Sequence, residues 1–111
     1  YTFILKGTKE VPKRLLNPKR KTIGIRVPTN RIAMALLEEL NEPLMSTSLI
    51  LGEGMLAESD PEEIRDKLEK LVDLIIDGGH KGEEPTTVVD LSEGAPTIRR
   101  EGSGDTEPFD F

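Results

Sequence analysis

Hydrophobic and polar residues follow one another along the chain in two spacings, one typical of strands and the other typical of helices. Residues 2–8 and 22–27 alternate or cluster β-branched side chains and predict strands, and Pro28 ends the second because proline cannot donate to a sheet. Short apolar stretches between glycine-rich turns predict the rest of a sheet. These further strands are expected at 43–51, 73–77, 86–92 and 96–101.

Two amphipathic stretches predict helices. The first begins after an N-cap at Thr29 or Asn30, and its apolar stripe at helical spacing is expected to form core. The second begins at Asp60 as N-cap, with Pro61 at the first helical position and Glu63 at the capping-box position. Helices and strands together predict an α/β domain. The side chains expected to face inward are Ile32, Ala33, Leu36, Leu37 and Leu40, then Ile64, Leu68, Leu71 and Val72.

Composition excludes several classes of protein. The 111 residues contain no cysteine, which removes disulfides, thiolate zinc sites and thiol nucleophiles. His80 is the only histidine, and no paired glycines precede Lys-Ser or Lys-Thr, so neither a metal site nor a P-loop is expected. No apolar run approaches the roughly 20 residues that cross a bilayer, and the first residues do not resemble a signal peptide. We therefore expect a cytoplasmic protein without a membrane partner.

Charge is distributed unevenly along this chain, whose net charge is −6. Residues 1–31 hold nine Lys or Arg and one acid, whereas residues 32–111 hold six Lys or Arg and twenty acids. A basic surface that persists against an acidic background favours phosphate as its partner, although a solvated loop would also be polar. The cations concerned lie in a segment interrupted by Pro12 and Pro18, which predicts a loop. They are Lys9, Lys13, Arg14, Lys19, Arg20 and Lys21.

Three consecutive hydroxyls, those of Ser46, Thr47 and Ser48, occur in the apolar stretch 43–51. A buried hydroxyl without a partner costs about 1–3 kcal/mol, so each of them needs a hydrogen bond. Neighbouring backbone groups are one source of partners, and phosphate or nucleotide oxygens are another, because a hydroxyl donates without adding charge. The same side-chain types recur at Thr86, Thr87 and Arg100.

The order of several motifs resembles that of YrdC-like proteins over nearly the whole chain. These motifs are "TFILKGT", "TIGIRVP", the amphipathic helix, "PLMSTS", "PTTVVDL" and "RREG". The segments "TKEVPKRLLNPKRKTIG" and "DPEEIRDKLEKLVDLIIDGG" look most similar to the YciO branch. The resemblance implies a twisted open mixed sheet with flanking helices and a basic concave face. It assigns residues 1–102 to the C-terminal portion of one such domain and leaves 103–111 as a loose acidic tail.

The resemblance implies two functions, and the departures from the synthases described below favour the first. One is the binding of RNA or transfer RNA, including double-stranded RNA, together with an adenine nucleotide. The alternative is an L-threonylcarbamoyladenylate synthase, which combines threonine, bicarbonate and ATP for the modification of adenosine 37 in certain transfer RNAs. ATP or AMP would be the nucleotide, with Mg²⁺ accompanying ATP, and no cofactor would be needed for folding.

The resemblance also suggests which residues would hold the ligand. Ser46, Thr47 and Ser48 would hydrogen-bond phosphate or the threonine moiety, and Arg100 would neutralise phosphate charge. Thr86 and Thr87 would line the nucleotide, and Arg26 would lie at the rim of the site.

Two features differ from the synthases of this family. Ile50 stands where they carry an asparagine, so a ligand group there loses a hydrogen bond worth about 1 kcal/mol. Their Lys-x-Arg pair belongs to an N-terminal half that this sequence does not contain. We therefore expect a piece of a longer chain, with unpaired sheet edges, an open apolar face and low stability on its own.

Overall fold

A computed structural model of the protein describes residues 1–49, 60–79 and 85–110. The chain divides into two compact units: Tyr1–Val27 with Thr86–Phe111, and Pro28–Pro85. We call the first the sheet unit because it holds the four described strands, and the second the helical unit because it holds the two described α-helices. This content confirms the predicted α/β class.

The sheet unit contains one open, mixed sheet. Its strands are β1 (Thr2–Lys6), β2 (Thr22–Ile25), β3 (Val88–Asp90) and β4 (Thr97–Arg100), in the spatial order β2-β1-β3-β4. β1 pairs antiparallel with β2 and parallel with β3, and β3 pairs antiparallel with β4. Four predicted strands are thus confirmed, each one shorter than its apolar stretch.

The register of these strands gathers apolar side chains on one face. Phe3 lies between Ile25 of β2 and Val89 of β3, and Val89 in turn lies opposite Ile98 of β4. Since side chains alternate between faces along a strand, these four share one face. Val89 is fully buried there.

The C-terminal residues pack against this sheet unit, so the expectation of a loose tail is wrong. A 3-10 helix spans Glu107–Phe109, and the Phe109 ring contacts the rings of Tyr1 and Phe3 at centroid distances of 5.5 and 6.0 Å. The Tyr1 hydroxyl also donates to the backbone oxygen of Asp105 at 2.8 Å. The C-terminal residues are acidic, but Phe109 packs on the apolar surface that Tyr1 and Phe3 form near the N-terminus.

Both helices of the helical unit begin at predicted N-caps, Asn30 and Asp60. Helix α1 spans Arg31–Leu40, and the Asn30 side chain accepts hydrogen bonds from the backbone N–H groups of Ile32 and Ala33 at 2.9 and 3.1 Å. Helix α2 spans Pro61–Leu68, and Asp60 accepts from the N–H of Glu62 at 3.0 Å. These side chains satisfy N–H groups that the first turn of a helix leaves free.

Two predicted strands and part of the predicted core are wrong in the helical unit. Residues 43–49 and 73–77 form no strand, and positions 50 and 51 lie outside the described residues. A short apolar stretch becomes a strand only if a neighbour pairs with it, and no described residue does.

The apolar stripes of the two helices are not buried as the periodicity predicts. Neither helix carries a buried residue. Leu36 is 43% exposed, and Leu71, which follows α2, is 77% exposed. Periodicity identifies the apolar face of a helix, but another element must cover that face before it becomes core. The other large apolar side chains exposed in this unit are Met34, Leu40, Leu44, Met45, Val72, Leu74 and Ile76.

Candidate functional site

The predicted basic segment forms the connection between β1 and β2, residues 7–21, which we call the basic loop. All six of its predicted cations are exposed. Within the described residues, none of these six forms an ion pair. Their charges therefore face solvent rather than neutralising acids of the same chain. The six are Lys9, Lys13, Arg14, Lys19, Arg20 and Lys21.

Backbone hydrogen bonds hold the basic loop where it leaves β1 and enters β2. The Gly7 N–H donates to the Lys21 oxygen at 2.9 Å, and the Asn17 N–H donates to the Thr22 oxygen at 2.9 Å. The Leu16 side chain packs against Gly7 so closely that a Cβ on that residue would overlap it. A single 3-10 turn, Lys13–Leu15, carries two of the cations. These contacts hold the loop backbone in one conformation, from which the cationic side chains extend into solvent.

A second group of predicted residues lies around Thr86. The Arg100 guanidinium donates from Nε to the Thr86 backbone oxygen at 2.9 Å and from Nη2 to its hydroxyl oxygen at 3.0 Å. The Thr86 and Thr2 hydroxyl oxygens are 2.7 Å apart and share a hydrogen bond. The structure thus brings Thr86 and Arg100 together. Of the Arg100 nitrogens, Nη1 has no protein partner among the described residues.

Thr87 is fully buried, and its hydroxyl is used within the protein. It donates to the Gly104 backbone oxygen at 2.6 Å and accepts from the Gly102 N–H at 2.9 Å. A hydroxyl has one proton to donate, and this one is committed to Gly104. In this structure Thr87 therefore ties residues 102–104 to the start of β3.

The two groups lie at opposite ends of the sheet. β1 and β3 run parallel, so Thr86, just before β3, lies at the end where β1 begins, whereas the basic loop follows the end of β1. Arg26 is exposed and directly follows β2, at the same end as Thr86. β2, which Arg26 follows, lies about 14 Å from β4, since three strand spacings of about 4.8 Å separate them. The sheet register therefore does not place the basic loop beside Arg100.

A shallow cleft of about 350 Å³ lies at β4. Both apolar and charged side chains line it, and Arg100 and Thr106 are among them. Arg100 is therefore the one predicted site residue that lines this cleft. The remaining lining residues are Ile98, Arg99 and Glu101.

The hydroxyl cluster belongs to the helical unit and lies in a segment, residues 43–49, that is neither helix nor strand. Ser46 and Thr47 are exposed, and Ser48 is half-buried. None of these three hydroxyls forms a hydrogen bond in the part of the chain that the structure describes. Backbone partners, one of the two expected sources, are not used. Ile50 and His80 lie outside the described residues.

Sequence reasoning missed a charged network at the end of β3. Asp90 is 3% exposed and accepts from the backbone N–H and the hydroxyl of Ser92, while Arg99 Nη2 lies 3.0 Å from its Oδ2. The Ser92 hydrogen bonds, with help from Arg99, lower the pKa of the Asp90 carboxyl from 3.8 to about 2. The Asp-x-Ser spacing after a strand signals the turn, but the register of β4 supplies Arg99.

No group of three acidic or histidine side chains that could hold a metal ion occurs in residues 1–49, 60–79 and 85–110. No helix in those same ranges is long and apolar enough to cross a membrane.

The chain is similar to proteins of one family. Residues 1–102 match the Sua5/YciO/YrdC family model, which is described as telomere recombination. The uncharacterized protein YciO of Escherichia coli K12 is 66% identical over 109 residues, covering 98% of this chain and 53% of that protein. An uncharacterized protein of Haemophilus influenzae is 64% identical over 110 residues, again covering 98% and 53%. The chain thus spans about half the length of these relatives.

An enzyme and a solved structure extend the comparison. Threonylcarbamoyl-AMP synthase of Pyrococcus abyssi is 29% identical over 103 residues, covering 91% of this chain and 29% of that enzyme. The crystal structure of E. coli YciO matches with a TM-score of 0.94 at 66% identity, covering 98% of this chain and 53% of that one. The predicted YrdC-like fold is confirmed.

Proposed function

The chain belongs to the Sua5/YciO/YrdC family, and from this premise we propose that it binds RNA, double-stranded RNA included, through the cations of its basic loop. The observation that carries this proposal is that six exposed cations without acidic partners lie on one anchored loop. The chain as a whole is acidic, with a net charge of −6. A concentration of positive charge against that background supports binding to a polyanion.

Phosphate is the part of RNA that such a loop recognises. Lysine and arginine contact backbone phosphates irrespective of base sequence, and each contact releases a condensed counterion. The basic loop lacks exposed aromatic side chains on which bases could stack, because its 15 residues contain no Phe, Tyr or Trp. Recognition would therefore depend on the phosphate backbone and tolerate different sequences.

The salt dependence of binding tests this proposal. For six phosphate contacts, affinity for a short fluorescein-labelled RNA duplex should fall by about 10³ between about 50 and 200 mM salt. Replacing Lys19, Arg20 and Lys21 with glutamine should reduce the slope of log affinity against log salt by about three. Fluorescence anisotropy measures both quantities.

A matched variant removes three cations of the helical unit, namely Arg31, Arg65 and Lys70, each replaced by glutamine. It changes net charge by the same amount as the loop variant, and its salt slope should equal that of the natural protein. An affinity that does not respond to salt, or equal slopes for the two triple variants, would contradict binding through the basic loop.

A second candidate is the synthesis of L-threonylcarbamoyladenylate. Two observations favour it: the 29% identity to the P. abyssi synthase, and the Arg100 guanidinium, which lines the cleft at β4 and keeps Nη1 available for an anion. In this function Arg100 would neutralise phosphate charge beside Thr86. Ser46, Thr47 and Ser48, whose hydroxyls have no protein partner among the described residues, would donate to oxygens of the substrates.

Pyrophosphate release tests the second candidate. With bicarbonate, ATP and Mg²⁺ present, the full-length protein that contains this chain should, as a synthase, release pyrophosphate from ATP only when threonine is added. Ile50→Asn should raise that rate, because the amide restores a hydrogen bond worth about 1 kcal/mol. Release that ignores threonine, or no release at all, would contradict the synthase and leave RNA binding unaffected.

A further inference from the structure

Three cations of the basic loop are consecutive, and one neutral side chain holds the backbone that carries them. We infer that Asn17 is a positioning residue for RNA binding: it fixes the turn that presents Lys19, Arg20 and Lys21 to phosphate. This inference rests on the proposed RNA binding. It adds that the shape of the loop, and not only its charge, sets the affinity.

Asn17 makes four hydrogen bonds to the backbone of its own turn. Its side-chain Oδ1 accepts from the N–H groups of Lys19 and Arg20, both at 3.0 Å. Its backbone oxygen accepts from the Lys21 N–H at 2.8 Å, and its own N–H donates to Thr22 at 2.9 Å. One residue therefore contacts the backbone of all three cationic residues and the first residue of β2.

Lys21 provides a second, independent observation. Its φ is +59°, in the left-handed region that glycine adopts readily and that side chains with a Cβ rarely adopt. Among the described residues, Asn41 is the only other residue besides glycine with a positive φ. Glycine would suit the backbone better at position 21, so the lysine occurs there against a local preference. A strained position with a charged, exposed side chain points to function.

Fixing the turn before RNA arrives has a direct consequence for affinity. A flexible loop must be ordered when it binds, and that loss of backbone freedom weakens binding. In this loop the ordering is already done by Asn17, and the long side chains remain free to reach phosphates. Removing the Asn17 side chain should therefore weaken binding without removing any charge.

The variants separate shape from charge. Asn17→Ala should weaken binding to the labelled RNA duplex about fivefold, as expected for losing a cap-type acceptor, while the salt slope stays unchanged because all six cations remain. Asn17→Ser should restore part of the affinity, since a hydroxyl makes the same turn contact more weakly. Amide exchange at Lys19 and Arg20 should be faster in the alanine variant and intermediate in the serine variant.

Lys21→Gly tests the same turn from the opposite direction. Glycine accepts the left-handed backbone, so the turn should stay ordered, while affinity falls and the salt slope decreases by about one.

Asn30→Ala is the matched control for Asn17→Ala. Asn30 also accepts from two successive N–H groups, but at the start of α1 in the helical unit. RNA affinity of this variant should equal that of the natural protein.

Each result decides a different question. If Asn17→Ala opens the turn, as shown by amide exchange, yet binds RNA as tightly as before, the positioning role is overturned and the charge-based proposal stands. If its salt slope falls together with its affinity, Asn17 sets how many cations reach phosphate and not the cost of ordering the loop, and the inference that pre-ordering sets the affinity is overturned. If Lys21→Gly and the triple loop variant both leave affinity and slope unchanged, the proposed RNA binding itself fails.

Discussion

The Thr87 hydroxyl gives the sharpest prediction about stability, because the structure assigns both of its hydrogen bonds. Thr87→Val keeps the volume of the side chain and leaves no cavity, but it removes the donor to Gly104 and the acceptor for Gly102. Each lost hydrogen bond is worth about 0.5–1.5 kcal/mol. Both glycines are half-buried, so water partly replaces the lost partner. The expected loss of unfolding free energy is about 1–3 kcal/mol.

Urea denaturation measures that loss, and Tyr1 supplies the local signal. It is the only tyrosine, the chain has no tryptophan, and its hydroxyl and ring contact the C-terminal residues. Tyrosine fluorescence should therefore report release of the tail in Thr87→Val at lower urea than in the natural protein. The exposed Thr97→Val in β4 is the matched control and should stay within about 0.5 kcal/mol.

Equal stability of Thr87→Val and Thr97→Val would contradict a structural role for the Thr87 hydroxyl. The Thr87 hydroxyl would then not tether residues 102–104, and its proton would be available to a nucleotide as the family resemblance suggests. A loss within the expected range supports Thr87 as a structural residue beside the site.

Four further predictions follow from single contacts. Unfolding free energy should fall as pH drops from about 4 to about 2, because folding lowers the Asp90 pKa from 3.8 to about 2; Asp90→Asn should flatten that part of an acid titration. Phe109→Ala should lower the urea midpoint by an amount equivalent to about 1–2 kcal/mol, through lost ring contacts. Asn30→Ala should cost about 1 kcal/mol of stability by circular dichroism, through loss of the α1 cap. Gly7→Ala should displace Leu16 and speed amide exchange in the basic loop, whereas Gly94→Asn, at a positive φ with open space, should not.

The sequence was sufficient to predict those elements whose conformation depends only on residues a few positions away. The Asn30 and Asp60 caps follow from side chains within a few positions of the backbone groups they satisfy. β1 and β2 also follow from their β-branched residues. The basic loop is an ordered connection between these strands, and its two prolines were enough to predict a loop.

Contacts between distant residues could not be predicted in this way. Residues 43–49 are apolar enough for a strand, but pairing depends on a neighbour that the pattern does not specify. Arg99 reaches Asp90 because β4 pairs antiparallel with β3, and the hydrophobic pattern does not specify that pairing. Phe109 packs on Tyr1 from the opposite end of the chain, and the acidic sequence around Phe109 does not predict that contact.

The same distinction applies to the candidate site. The family resemblance implied one basic concave face, but the parallel pairing of β1 with β3 puts the basic loop and Arg100 at opposite ends of the sheet. Two sites with different partners are consistent with that separation, whereas a single site that combines both groups is not.

The most direct test of the account is an NMR titration of isotope-labelled protein with the short RNA duplex. We expect RNA to cause the largest changes of amide chemical shift within the basic loop, between Lys9 and Lys21. These changes should disappear as the salt concentration is raised. Shifts centred on Thr86 and Arg100, with the loop unchanged, would contradict the claim that the basic loop holds RNA.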